Sequence, residues 1–176
     1  MHEPSQSDNQ PGFDQPLALL RACHARMLDH CELLEQLVEH LSNEAIDTET
    51  GSAARAVMAY FSSSALQHHQ DEEDDLFPLL ARQSLKLADL VHSLRQEHAE
   101  LDNLWQALEP DLLRFPDVAD RDSFAKTAGR YCELSRQHVR RENMEFLPLV
   151  ESSLSSAQLR DIGAAMAERR GVRFTD

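Results

Sequence analysis

At 176 residues, with 41% hydrophobic and 27% charged residues, the chain has the composition of one soluble domain large enough to bury a core. The formal net charge of −14 argues against nucleic acid as a partner and against an anionic membrane surface, since both require clustered Lys and Arg. No stretch approaches the roughly 18 apolar residues needed to span a bilayer. The polar N-terminus has no apolar signal core, and three cysteines in no C-x-x-C spacing fit a reducing cytoplasm.

In chain order, residues 1–13 are mostly Ser, Gln, Asn, Asp, Pro and Gly with little to bury, and are expected to be a disordered tail ahead of a domain over 14–171. Asp14 offers a helix cap and Pro16 suits a first turn. A first helix is predicted to run to about residue 41, with Leu17, Leu20, Met27, Cys31, Leu34, Val38 and Leu41 in its apolar stripe and His24 in the same stripe. After a polar segment at 42–52, a second helix carries Val57, Phe61 and Ala65 on the face that continues to His68, Glu72 and Leu79. Pro78 should kink or end it. The third helix has the cleanest stripe, from Leu87 through Val91, Leu94, Leu101, Trp105 and Leu108 to Leu112, again with one histidine, His98. Phe115-Pro116-Asp117 marks a loop and Asp120 a cap. The fourth helix then presents Phe124, Ala128, Tyr131, Ser135, His138, Glu142, Glu145 and Leu149. A shorter amphipathic helix through Leu159, Ile162 and Met166 stops near Gly171. Few glycines and short polar connections predict an all-α protein, an antiparallel up-down four-helix bundle with a short fifth C-terminal helix.

The chain repeats one pattern. His68 and Glu72 form H-x-x-x-E with Pro78 six residues beyond; His138 and Glu142 form it again with Pro148 six residues beyond. Residues i and i+4 share a helix face, so each copy aims an imidazole and a carboxylate the same way. His24 precedes His68 by 44 residues and His98 precedes His138 by 40, which suggests two related helix pairs. One stripe histidine is usually a satisfied core residue. Four histidines and two core-facing glutamates are costly to bury unless metal-bound. The set His24, His68, Glu72, His98, His138 and Glu142 is therefore the predicted metal site. Two opposed glutamates suit bridging, and mixed nitrogen and oxygen donors favour two iron ions, with manganese or zinc possible. His69 and Glu73 form an overlapping pair and stay open as alternatives. His30 competes with His24 from a more mixed face. The acidic run 71–75 reads as a mostly solvated face, and Trp105 and Tyr131 as core packing or walls of the metal pocket. Cys23, Cys31 and Cys132 read as small core residues, and His2, His40 and His92 as surface ones.

These residues carry a resemblance. Ala22-Cys23-His24, His68-His69-Gln70-Asp71-Glu72-Glu73 running into Leu76-Phe77-Pro78, Glu97-His98, and His138 to Glu142 running into Pro148 resemble the hemerythrin-like (HHE cation-binding) domain family over about residues 17–170. The resemblance implies a four-helix bundle around an oxo- or hydroxo-bridged di-iron centre. Oxygen-carrying members present a second histidine one turn after the first on the third helix; here that place is Asp102, which either ligates or holds a ligand imidazole. The chain looks closer to di-iron proteins that repair iron–sulfur centres after nitrosative stress, although those carry a cysteine-containing N-terminal domain. The expected function is binding or sensing of O₂ or NO in stress response or iron handling. The alternative is a di-iron enzyme reducing NO or peroxide, or an iron donor. No catalytic residue is singled out, no flavin or electron-carrier domain is present, and no face indicates an oligomeric state.

Overall fold

The computed structural model describes residues 11–43 and 47–174, and every regular element among them is helical. Helix α1 is Pro16–Ser42. Gln15 rather than Asp14 occupies its N-cap, and Pro16 opens the first turn, where its missing N–H leaves nothing unpaired. Helix α2 covers 48–81. Asp47 caps it by accepting from the Thr50 N–H at 2.8 Å, with the Thr50 hydroxyl turned back towards Asp47. Helix α3 is Leu85–Leu113, capped by Ser84. Helix α4 covers 121–153, and Asp120 caps it as expected. Helix α5 is Ser156–Arg169, started by a Ser155/Gln158 capping box and followed by Gly171 at φ 66°.

Pro78 does not end its helix, against one half of the expectation. Pro78 neither ends nor breaks α2, and Pro148 does not break α4. Each follows a π-helical turn, Asp71–Leu76 and Glu142–Phe146. The Phe77 N–H reaches the Glu72 carbonyl and the Leu147 N–H reaches the Glu142 carbonyl, five residues back. The wider turn gives room to a proline ring that would otherwise strike the carbonyl four residues earlier. The extra residue also moves the buried stripe. After Glu72 the core receives Leu76, Phe77 and Leu80, and after Glu142 it receives Phe146, Leu147 and Val150. Glu145 is exposed, and Leu79 and Leu149 are only half-buried, against the expected pattern.

Helix α1 packs on α2 and α4, and α3 on the same two; α5 lies on α1 and on the Asp71–Leu76 turn of α2. The apolar residues form two separate clusters. One gathers Met27, Leu34, Val57, Phe61, Leu108 and Phe124. The other gathers Leu20, Phe77, Leu94, Phe146, Ile162 and Met166. Phe61 centres the first, 5.2 Å from Trp105 and 5.0 Å from Tyr131 between ring centroids, so these two aromatics serve core packing. Cys23, Cys31 and Cys132 are buried, as expected. Much of the expected tail, including His2, lies outside the described residues. Phe13 packs against the second cluster, and its carbonyl sits so close to α5 that a Cβ on Gly163 would meet it at 2.0 Å. Among the described residues no helix is long and apolar enough to cross a membrane.

The acidic run is not simply a solvated face. Asp71 is fully buried and paired with both Arg169 and Arg170, the latter at 2.7 Å, while Arg169 also reaches Asp75 at 3.0 Å. Burial pushes the Asp71 carboxyl up, only partly offset by the two guanidiniums. Removing one partner of a buried pair is expensive. Because both arginines keep some solvent and Arg169 keeps Asp75, Asp71→Ala is expected to cost about 2–4 kcal/mol in urea denaturation.

Candidate metal centre

Between the two apolar clusters lies a polar layer to which four helices contribute. Helix α1 contributes His24, α2 contributes His68 and Glu72, α3 contributes His98, and α4 contributes His138 and Glu142; each is at most 1% exposed. The i,i+4 spacing brings each motif pair together, with Nε2 of His68 3.5 Å from Glu72 and Nε2 of His138 3.1 Å from Glu142. The layer also closes across helices. Glu142 lies 3.0 Å from His24 Nε2 and 3.8 Å from His98 Nε2, and Glu72 lies 3.4 Å from His98 and 3.9 Å from His24. The Nε2 atoms of His98 and His138 are 3.0 Å apart.

Two clusters of possible ligands emerge, each with donor atoms within 4.8 Å of one another: His24, His68, Glu72 and Glu142, and Glu72, His98, His138 and Glu142. The glutamates belong to both. His69 forms a further group with His98 and His138, its ring stacked on His98 at 4.0 Å between centroids. The alternative pair in α2 thus divides: His69 comes beside the layer, and Glu73 accepts from His98 Nδ1 at 2.7 Å. Asp102 is exposed and belongs to none of these groups. His30 stacks on Tyr60 and hydrogen-bonds the Arg26 carbonyl, away from the layer, and His40 and His92 are exposed.

The Hemerythrin HHE cation binding domain matches residues 15–150. The chain belongs to that family. It is also 26% identical over 161 residues to an uncharacterized protein of Haemophilus influenzae, covering 92% of this chain and 93% of that one. The hemerythrin domain so matched contains all six candidate ligands and ends at Val150, short of α5.

A cation fits the chemistry of this hemerythrin-domain layer. Buried polar atoms without a hydrogen-bond partner include Nε2 of His24, both nitrogens of His68, Nε2 of His69, and all four carboxylate oxygens of Glu72 and Glu142. Such atoms are costly in a core, and here they face one another. Imidazoles that donate outward from Nδ1 turn the Nε2 lone pair towards carboxylates, so acceptor meets acceptor. Protons or metal ions resolve the conflict. Burial by itself depresses the imidazoles, but the facing carboxylates of Glu142 and Glu72 outweigh it and raise His24 to about 10 and His98 to about 11. Burial is likewise overcome at His138, raised to about 9 by Glu142 and Glu97. At His68 burial prevails, and the imidazole falls to about 4. Glu142 is held well below the usual carboxylate range, its burial outweighed by His138 and His24.

The outer ring of partners was less visible from sequence. His138 Nδ1 donates to Glu97 at 2.7 Å, and Arg141 holds Glu97 from the other side. His24 Nδ1 donates to the Asn143 side-chain oxygen at 2.8 Å. Glu97 and Asn143 each adjoin a candidate ligand in sequence, next to His98 and Glu142. Each serves a histidine on another helix, so no spacing within one helix identifies them.

Proposed function

We propose that the layer holds two metal ions, iron by preference, one at His24 and His68 and one at His98 and His138, with Glu72 and Glu142 shared. The observation that carries this reading is the concentration of unpartnered buried nitrogen and oxygen atoms in the layer. Oxygen and imidazole donors without thiolate suit iron and manganese ahead of a structural zinc site. Bound there, a pair of irons supplies electron exchange and coordination positions for a small diatomic ligand such as O₂ or NO. The role inferred is sensing or scavenging of that ligand under oxidative or nitrosative stress, or iron handling.

The chain's own residues prepare the site. Phe77, 5.6 Å from His98, and Phe146, 5.2 Å from Phe77, cover it on one side with apolar surface and exclude water. Glu73, Glu97 and Asn143 keep three Nε2 lone pairs aimed inward. His69, only half-buried and kept neutral by its surroundings, offers an imidazole to a ligand arriving beside His98. The finer architecture belongs to the same proposal. One apolar cluster takes the start of α1 and α3 with the end of α2 and α4, as an up-down order requires.

Protein expressed with ample iron is expected to carry two irons per chain and to show a near-ultraviolet charge-transfer band that responds to O₂ or NO. His138→Ala is expected to reduce the iron content. Less than one metal per chain, with no effect of that substitution, would overturn the reading. Steady turnover with a reductant and NO or peroxide would establish the enzymatic alternative.

A further inference from the structure

With Nε2 turned inward, what each Nδ1 meets sets the donor strength of the imidazole. Here the two halves of the layer differ. His98 Nδ1 donates to Glu73 at 2.7 Å and His138 Nδ1 to Glu97 at 2.7 Å, both carboxylates. Arginines fix these carboxylates in place. Arg95 reaches a Glu73 carboxylate oxygen at 3.2 Å and its carbonyl at 2.9 Å; Arg141 holds Glu97 and also donates to Ser93 at 2.7 Å. In the other half, His24 Nδ1 meets only the neutral amide oxygen of Asn143, and His68 Nδ1 is buried with no partner.

A carboxylate accepting from Nδ1–H makes the opposite nitrogen a stronger donor and fixes the ring; losing such a partner typically costs about 10- to 100-fold in metal affinity. Glu72 and Glu142 are common to both positions, so they cannot rank them. We infer that the two metal positions are unequal: the one at His98 and His138 fills first and holds tighter, and the one at His24 and His68 fills second and releases first. Glu73 and Glu97 act as positioning residues for the tight half. The inference rests on the two-metal reading of the layer.

Two-step filling alone would not establish this, because a first cation on the shared carboxylates weakens the pull on a second one. Residue identity decides it. Metal-free protein labelled with ¹⁵N in its histidine rings is titrated with Zn²⁺ as a diamagnetic probe and followed by NMR. With one equivalent, the rings of His98 and His138 are expected to shift, and those of His24 and His68 only with the second. Replacing Glu73→Gln and Glu97→Gln together keeps an acceptor but removes the charge. It is expected to weaken the first step about tenfold or more and to erase the order. Asn143→Asp gives His24 a carboxylate and is expected to tighten the second step about tenfold, a gain that a merely structural role would not produce. Circular dichroism checks that each variant is folded. His24 and His68 shifting first, all four rings shifting together, or an unchanged second step in Asn143→Asp would overturn the inference while leaving two metals bound. Absence of any ring shift with two equivalents would overturn the two-metal reading itself.

Discussion

Chelation of the metal is expected to lower the midpoint of thermal unfolding, by about 8–16 °C relative to protein held at a free metal concentration near a thousand times the dissociation constant. Binding to the native state alone stabilises by about 4 kcal/mol under that condition, and each kcal/mol moves the midpoint of a domain of this size by about 2–4 °C. The loss should grow with pH, and the sign follows from the protons that replace the metal. In metal-free protein the raised imidazoles of His24, His98 and His138, at about 10, 11 and 9, take protons more readily folded than unfolded. Stability from those protons is fully present below the ordinary histidine value of about 6.5 and is lost as pH rises through the raised values. Metal-free protein should therefore weaken from neutral pH upwards. Metal-loaded protein, whose layer is neutralised by cations, should not weaken in that way. Calorimetric scans with and without chelator at two pH values measure both effects. Equal midpoints under all four conditions would contradict a metal-bound layer.

Glu142→Gln should abolish two-metal binding and remove part of the proton-linked stability of the metal-free fold. Glu142 is fully buried, its carboxylate oxygens have no hydrogen-bond partner, and it faces His24, His98 and His138 at 3.0, 3.8 and 3.1 Å. As the shared anion it contributes to both positions, so an uncharged amide weakens both, and the metal content should fall below one per chain. A permanent buried ion pair broken on one side would lose about 3–5 kcal/mol. Here the opposing charges are protons on imidazoles, which leave when the carboxylate does. The metal-free protein should thus lose less than that, about 1–3 kcal/mol in urea denaturation at neutral pH, and the difference should shrink as pH rises through the raised imidazole values. A large loss of stability with metal content retained would make Glu142 a structural residue.

The helices and the candidate ligands were legible because both follow from single-helix periodicity. His24 and His98 interrupted apolar stripes, and His68/Glu72 and His138/Glu142 sat one turn apart; these six side chains share one buried layer. What escaped involves geometry between helices or a local departure from the α period. Pro78 suggests a kink or an end to α2, whereas the π-turns before Pro78 and Pro148 shift the stripe, burying Phe146 and exposing Glu145. Asp71 looked like part of a solvated face because its partners, Arg169 and Arg170, are about a hundred residues away on α5. Asp102 is expected to ligate or to hold a ligand imidazole, but the imidazole on its own helix, His98, is held by Glu73 from another helix.

The polar layer has one more consequence, for how the molecule opens. It divides the apolar interior into two cores that pack separately, one spanning α1 to α4 and the other also holding α5. With cations in place, ligands from four helices are tied across that division, and amide hydrogen exchange at both ends should report a single cooperative opening. Without them the division becomes a seam, and each core can loosen by its own sub-global fluctuation. Metal content would then govern the size of the cooperative unit as well as its stability.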